Sequence, residues 1–239
     1  MRPITLSLIC LASLAFAANS FKYDDGNAKL SGTSGRVSHP EGSPNYDFEL
    51  RGNVIADSKK EGLHITAQRV VGTAVPSGKE TKIQKATATG GAHVVKTATT
   101  GVSTLTANQA VYQDRGNDAL VTLTGSVVIT SQDNAKHRSF NATGPNGTAT
   151  LDPKASGKSK SSLRTATLSG GVRVTMDDAK SPSQYVATGN RLVLDNMVSP
   201  ATITLTGGVT VTGKGTLSGE RAVLRVNAKG EVVGFEVGS

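Results

Sequence analysis

The residues able to do chemistry in this 239-residue chain are few and far apart. Its four histidines, His39, His64, His93 and His137, are widely spaced, with no pair at metal-ligand separation and no acid cluster beside them. His64 and His93 alternate with apolar neighbours, which puts them on outward faces of strands. The adjacent carboxylates Asp24–Asp25 and Asp177–Asp178 point to opposite sides of an extended chain, so neither couple forms an acid–base pair. The Ser-rich stretches hold no nucleophile elbow. The one cysteine, Cys10, lies in an N-terminal apolar stretch, which leaves the rest of the chain without disulfides or Cys-ligated zinc. The expectation is a protein that is not an enzyme and that uses no metal or cofactor.

Composition narrows the alternatives. Hydrophobic residues make up 36% and charged residues 18%, with 27 Gly, 28 Thr, 4% aromatics and no Trp. Thr, Val and Gly in those amounts favour strands over helical bundles. Apolar residues recur in alternating runs, which argues against general disorder, and Gly does not fall at every third position as collagen requires. A net charge of +8 and a pI near 9.7 suit an anionic partner. Nucleic acid is the weaker candidate, because single, scattered Tyr and Phe offer little for base stacking.

Met1-Arg2, the apolar run from Ile4 to Phe16 and the small residues of Ala15-Phe16-Ala17 have the layout of a cleaved signal peptide spanning 1–17. Ile9 precedes Cys10 where a lipobox needs a small residue, so no lipid anchor is expected. The product reads as an exported, periplasmic protein. Residues 18–47 read as an extended lead-in without a repeat, and 48–239 as one β domain.

Within that domain five segments share one plan: alternating residues, a Gly, more alternation, a polar loop, then an answering run. They begin at Glu49–Ala56, Ala88–Val94, Val121–Ile129, Ala166–Met176 and Ile203–Val211, with central glycines about 34 to 46 residues apart. Ile203, Leu205, Val209 and Val211 share one phase with Gly207, and Leu168, Val172, Val174 and Met176 share one with Gly170. Period-two alternation puts those residues on an apolar face and the threonines on the other. An in-phase Gly marks either a bend within a long strand or a tight hairpin turn. Both give antiparallel β-structure, and the tail Glu231–Val237 reads as a final edge strand. Lys154, Lys158 and Lys160 read as a solvated loop.

Gly52-Asn53-Val54-Ile55, Gly91-Ala92-His93-Val94, Thr124-Gly125-Ser126-Val127, Gly171-Val172-Arg173-Val174 and Gly208-Val209-Thr210-Val211, with answering runs such as Thr66–Val70 and Ser218–Leu224, resemble the OstA-like (LptA) family of periplasmic lipopolysaccharide-transport proteins. The resemblance covers Phe48 to Val237. It implies an all-β, antiparallel β-jellyroll of two long facing sheets, slightly open around an apolar groove. It further implies a non-enzymatic carrier that shields the acyl chains of lipopolysaccharide or a similar anionic lipid. Inner- and outer-membrane transport components and a head-to-tail homo-oligomer are the partners it implies.

Acyl chains in water cost about 0.8 kcal/mol per exposed CH₂, so a carrier needs a continuous apolar trough. Val54, Val94, Val127, Ile129, Val172, Val174, Leu205, Val209 and Val211 are the groove candidates, and the same residues could instead fill a closed sandwich core. Arg51, Arg69, Arg173, Arg191 and Arg221 are the candidates for headgroup phosphates, with simple solubility as the competing role. An exported structural or adhesive β-repeat protein is the alternative function. Variable repeat spacing argues against its parallel-solenoid form.

Overall fold

The computed structural model describes residues 16–18, 20–24, 28–58, 62–77, 80–97, 101–133, 138–152, 163–178, 184–213, 215–227 and 232–238. The body of the signal segment, His137 and the three loop lysines, Lys154, Lys158 and Lys160, lie outside them. Four short strands come first: β1 (Phe16–Ala18), β2 (Phe21–Asp24), β3 (Ala28–Gly32) and β4 (Ser34–Ser38). Ten long ones follow: β5 (Tyr46–Ser58), β6 (Leu63–Ser77), β7 (Glu80–Thr97), β8 (Gly101–Asp114), β9 (Ala119–Asp133), β10 (Arg138–Leu151), β11 (Leu163–Asp178), β12 (Tyr185–Asp195), β13 (Ala201–Thr212) and β14 (Thr216–Val226). β15 (Val232–Gly238) closes the order. All fifteen belong to one antiparallel sheet, an up-and-down meander from β5 to β15, and among the described residues there is no helix.

The long strands are bent in the middle. Each pairing from β5·β6 to β13·β14 breaks register once near its midpoint, for instance between Arg51 and Val54 or Thr206 and Val209. At those breaks alternate strands carry two residues of positive φ: Gly52-Asn53, Gly90-Gly91, Gly125-Ser126, Gly170-Gly171 and Gly207-Gly208. The intervening strands place Gln68, Asn108, Pro145, Asn190 and Glu220 opposite them. Two residues facing one is a β-bulge, and repeating it in line across the sheet creases the sheet. The glycines are therefore mid-strand bends, and the hairpin-turn reading does not hold. At Gly170, with φ of +91°, a Cβ would sit 2.6 Å from Pro145 Cγ, so space and backbone both require glycine. Pro145 itself is tolerated because it occupies a bulge rather than a regular ladder position.

The crease also explains two misreadings. The stretch 18–47 is not a lead-in. β3 pairs with the Ala28↔Ser58 to Ser31↔Ile55 half of β5, β4 pairs with the other half, and Thr33 stands at the crease against Gly52. Inward-facing Gly32 and Gly35 are three apart, the same step as Gly189 to Leu192 in β12. This bent strand is short and holds few aliphatics, so its sequence shows no clear alternation. The segment answering Val121–Ile129, which alternates only weakly around Phe140-Asn141-Ala142, is the whole of β10, whose Gly144-Pro145-Asn146-Gly147 looks like a turn but lies inside the strand.

Folding along the crease turns the one sheet into two facing leaves. The first leaf holds Tyr46–Arg51 of β5 and its partners; the second holds Val54–Ser58 and its partners. Cross-strand pairing makes each inner row continuous. One row of the second leaf runs Leu30, Ala56, Ile65, Val94, Leu105, Ile129, Ala142, Val174, Ala187, Val211, Leu217 without a polar residue. On the first leaf a row from Gly35 and Leu50 to Leu205, Ala222 and Val237 is equally apolar. The core joins both leaves, with Leu123, Leu168, Leu192 and Leu205 from one and Val127, Val172, Val174 and Val209 from the other. This is the architecture of an open antiparallel β-jellyroll, with the two facing sheets continuous through the crease.

Candidate functional site

The inner surface between the leaves is the candidate site. Small residues stand next to the crease on alternate strands, at Ala67, Ala107, Gly144, Gly189 and Gly219, where the leaves converge. A Cβ on Gly189 would come within 3.2 Å of the Thr206 carbonyl oxygen, so only minimal side chains fit there. Farther from the crease the leaves carry Val, Leu, Ile, Phe and Met.

All nine groove candidates lie on this inner surface. Val54, Val127, Val172, Val174, Leu205, Val209 and Val211 are buried, Val127 completely at 0% exposure, while Val94 and Ile129 are half-buried. Val127, Val172, Val174, Leu205, Val209 and Val211 belong to one buried cluster drawn from both leaves, and Ile129 packs against it. Towards the C-terminal end a wholly apolar cavity opens among Val174, Met176, Ile203, Val211, Leu224 and Phe235. Its free volume is about 20 Å³, room for roughly one water molecule. A hydrocarbon chain therefore enters only if the leaves move apart.

The five arginine candidates fall on the other side of the sheet. Arg51, Arg69, Arg191 and Arg221 share a single outer row beside the crease, and Arg173 lies on the outer row across it. All five are exposed. Arg51 and Arg69 both donate through Nε to Glu49 Oε1 at 2.7 Å. That shared pairing holds the Glu49 carboxyl below the usual carboxylate range. The five arginines therefore stand on the face of the sheet opposite to the nine apolar candidates. Strand geometry requires this: Arg173 and Val174, adjacent in the chain, necessarily face opposite ways.

Three features at the rim of the cleft have no signature in the alternation of the sequence. Asp114, at the first leaf's outer margin, keeps only 5% of its side chain exposed and meets Lys82 Nζ at 2.5 Å. Burial opposes its ionisation, but the Lys82 ammonium and the Gly116 amide outweigh that, leaving its carboxyl below the ordinary value. Beside it, burial and the Asp114 charge push the Tyr112 hydroxyl up. The third feature is the pair Leu217 and Phe235, inward-facing but 54% and 42% exposed at the C-terminal end. Their strand phase was readable; their exposure depends on where the sheet stops.

His64 and His93 face outward, and His64 Nδ1 lies 2.5 Å from Asp57 Oδ1. Among the described residues no three His, Cys, Asp or Glu side chains are grouped as metal ligands. No described helix is long and apolar enough to cross a membrane. The fold and site together define an all-β, creased jellyroll built around an apolar cleft. In comparisons with protein families, curated proteins and solved structures the chain matches none.

Proposed function

We propose that this protein is a non-enzymatic periplasmic carrier that shields the acyl chains of lipopolysaccharide, or of a similar anionic lipid, between the inner and outer membranes. Its leader, 1–17, directs export, and its sheet ends suit head-to-tail stacking and docking to inner- and outer-membrane transport components. The observation that carries this reading is the pair of inner surfaces whose rows stay apolar strand after strand across the sheet. A small-residue crease lets such leaves hinge, and a tail would replace leaf-to-leaf contacts with tail-to-leaf contacts of the same apolar kind.

The tight packing around Val127 favours a second reading, an exported structural or adhesive β-protein whose cleft is simply its core. Native mass spectrometry with lipid extraction on gently purified protein separates the two. Co-purified or added lipopolysaccharide bound in a defined ratio is the expected result. A chain that stays lipid-free in its presence sinks the carrier reading.

A further inference from the structure

The two ends of the cleft are finished differently. At the N-terminal end β2 extends the second leaf beyond β3, and its Phe21 ring lies against Gly35 of the opposite leaf, whereas β1 beside β4 belongs to the leader except for Ala18. Behind it Val37, Leu50 and Val54 are buried. At the C-terminal end the leaves are unequal. β15 pairs with Arg221–Val226 of β14 only, so the first leaf is one strand wider than the second. Phe235 on the first leaf lines an unfilled gap together with Leu224 and Val211, and on the second leaf the exposed Leu217 stands beside Val211 at the sheet's end.

β15 is also weakly held. It has one neighbour strand, its register is irregular at Arg225 and Val226, and Val233 is exposed. On its outer side it is held by a two-pronged pair, Arg225 Nη1 to Glu236 Oε1 at 2.6 Å and Nη2 to Oε2 at 3.4 Å, both in solvent. Edge strands with few buried contacts open at the lowest free-energy cost in a fold.

From this geometry we infer that the C-terminal end is the loading mouth of the cleft and that β15 is a strap across it, displaced to admit the hydrocarbon tail of a long-chain amphiphile past Phe235 and Leu217. The inference rests on the carrier reading and adds where the tail enters and what moves. The wholly apolar lining commits the occupant to a tail and leaves the headgroup in solvent beyond the rim.

Val223 and Glu236 stand directly opposite on the outer face, at a separation that a disulfide spans. The full chain with Val223→Cys and Glu236→Cys, in a Cys10→Ser background, can thus be locked and released. Stopped-flow uptake of cis-parinaric acid is the readout. Oxidation should slow uptake about tenfold or more, with recovery on reduction. Equal rates in both states, with wild type loading normally, overturn the strap and leave the carrier reading standing. No uptake by wild type overturns both. A second readout uses the absence of native Trp. Phe235→Trp fluorescence should be quenched by dibromostearic acid, and Met197→Trp, in an exposed loop, should not. Quenching at 197 without quenching at 235 moves the mouth elsewhere and ends the proposal.

Discussion

Thr167 and Leu168 are chain neighbours on the same strand, yet they live in different solvents. Leu168 is 1% exposed and packs against the opposite leaf; Thr167 faces water in an outer row with Thr148 and Val193. That contrast recurs along β13, whereas in β14 Ala222, Val223 and Leu224 are all buried. On the inner surface the side chain is fixed by its neighbours in volume and polarity. On the outer surface the strand asks only for β-propensity and solubility, which Thr supplies through its branched Cβ and hydroxyl. The lesson is that sequence identity carries unequal weight by parity: odd and even positions of one strand should differ by several kcal/mol in tolerance.

Two substitutions press that comparison hardest. Val127→Asp puts a carboxylate without a partner at a site with no solvent access, and should cost more than about 4 kcal/mol, enough to abolish cooperative unfolding. Val128→Asp, one residue on and facing outward between Thr106 and Thr143, should stay within about 1 kcal/mol of wild type by urea titration. Comparable losses in the two variants would mean that the faces are not distinct. Next, Leu168→Ala should cost about 2–5 kcal/mol, with the upper end expected if the leaves cannot settle into the void. Thr167→Ala is its control, and a loss there as large as the Leu168→Ala loss would contradict the outer-face assignment.

Much of this architecture was legible before the structure. Alternation fixed which residues of β9, β11 and β13 share the inner face, and the tail's strand character and edge position were readable from Glu231–Val237. What alternation could not say was where a face changes sides. In β12 the inward residues Gly189 and Leu192 are three apart because Asn190 takes the crease, so phase counting across that point fails. The arginines and the apolar candidates fall on opposite faces for a related reason: a charged residue beside an apolar one in a strand is near in sequence and opposite in space. The Asp114–Lys82 pair and the Leu217–Phe235 mouth depend on strand partners far along the chain, which no local pattern encodes.

The crease sits between the two surfaces and should be intermediate in cost. Gly170→Ala asks an L side chain to adopt φ of +91° and to displace Pro145, so a loss of about 1–3 kcal/mol is expected. Gly171→Ala has the same backbone demand at +92° but nothing within 4 Å of its Cβ. The difference between the two variants therefore isolates the steric part. Calorimetry giving equal losses would assign the whole effect to backbone conformation and remove Pro145 from the account.

The smallest expected effect belongs to the outer-face charges. Glu49 accepts from both Arg51 and Arg69, so its carboxyl titrates lower in the folded protein than in the unfolded chain. A group with a depressed folded pKa adds stability that is fully present above its unfolded value and fades as pH falls through the folded one. Glu49→Gln should therefore lower the melting temperature slightly at about pH 7, with the gap to wild type narrowing as the pH is taken towards about 3. Added salt should shrink the gap as well, because these groups lie in water and their attraction is screened. A gap that widens on acidification, or that ignores salt, would show Glu49 to be held by packing. The outer face would then share the constraint that this comparison reserves for the inner one.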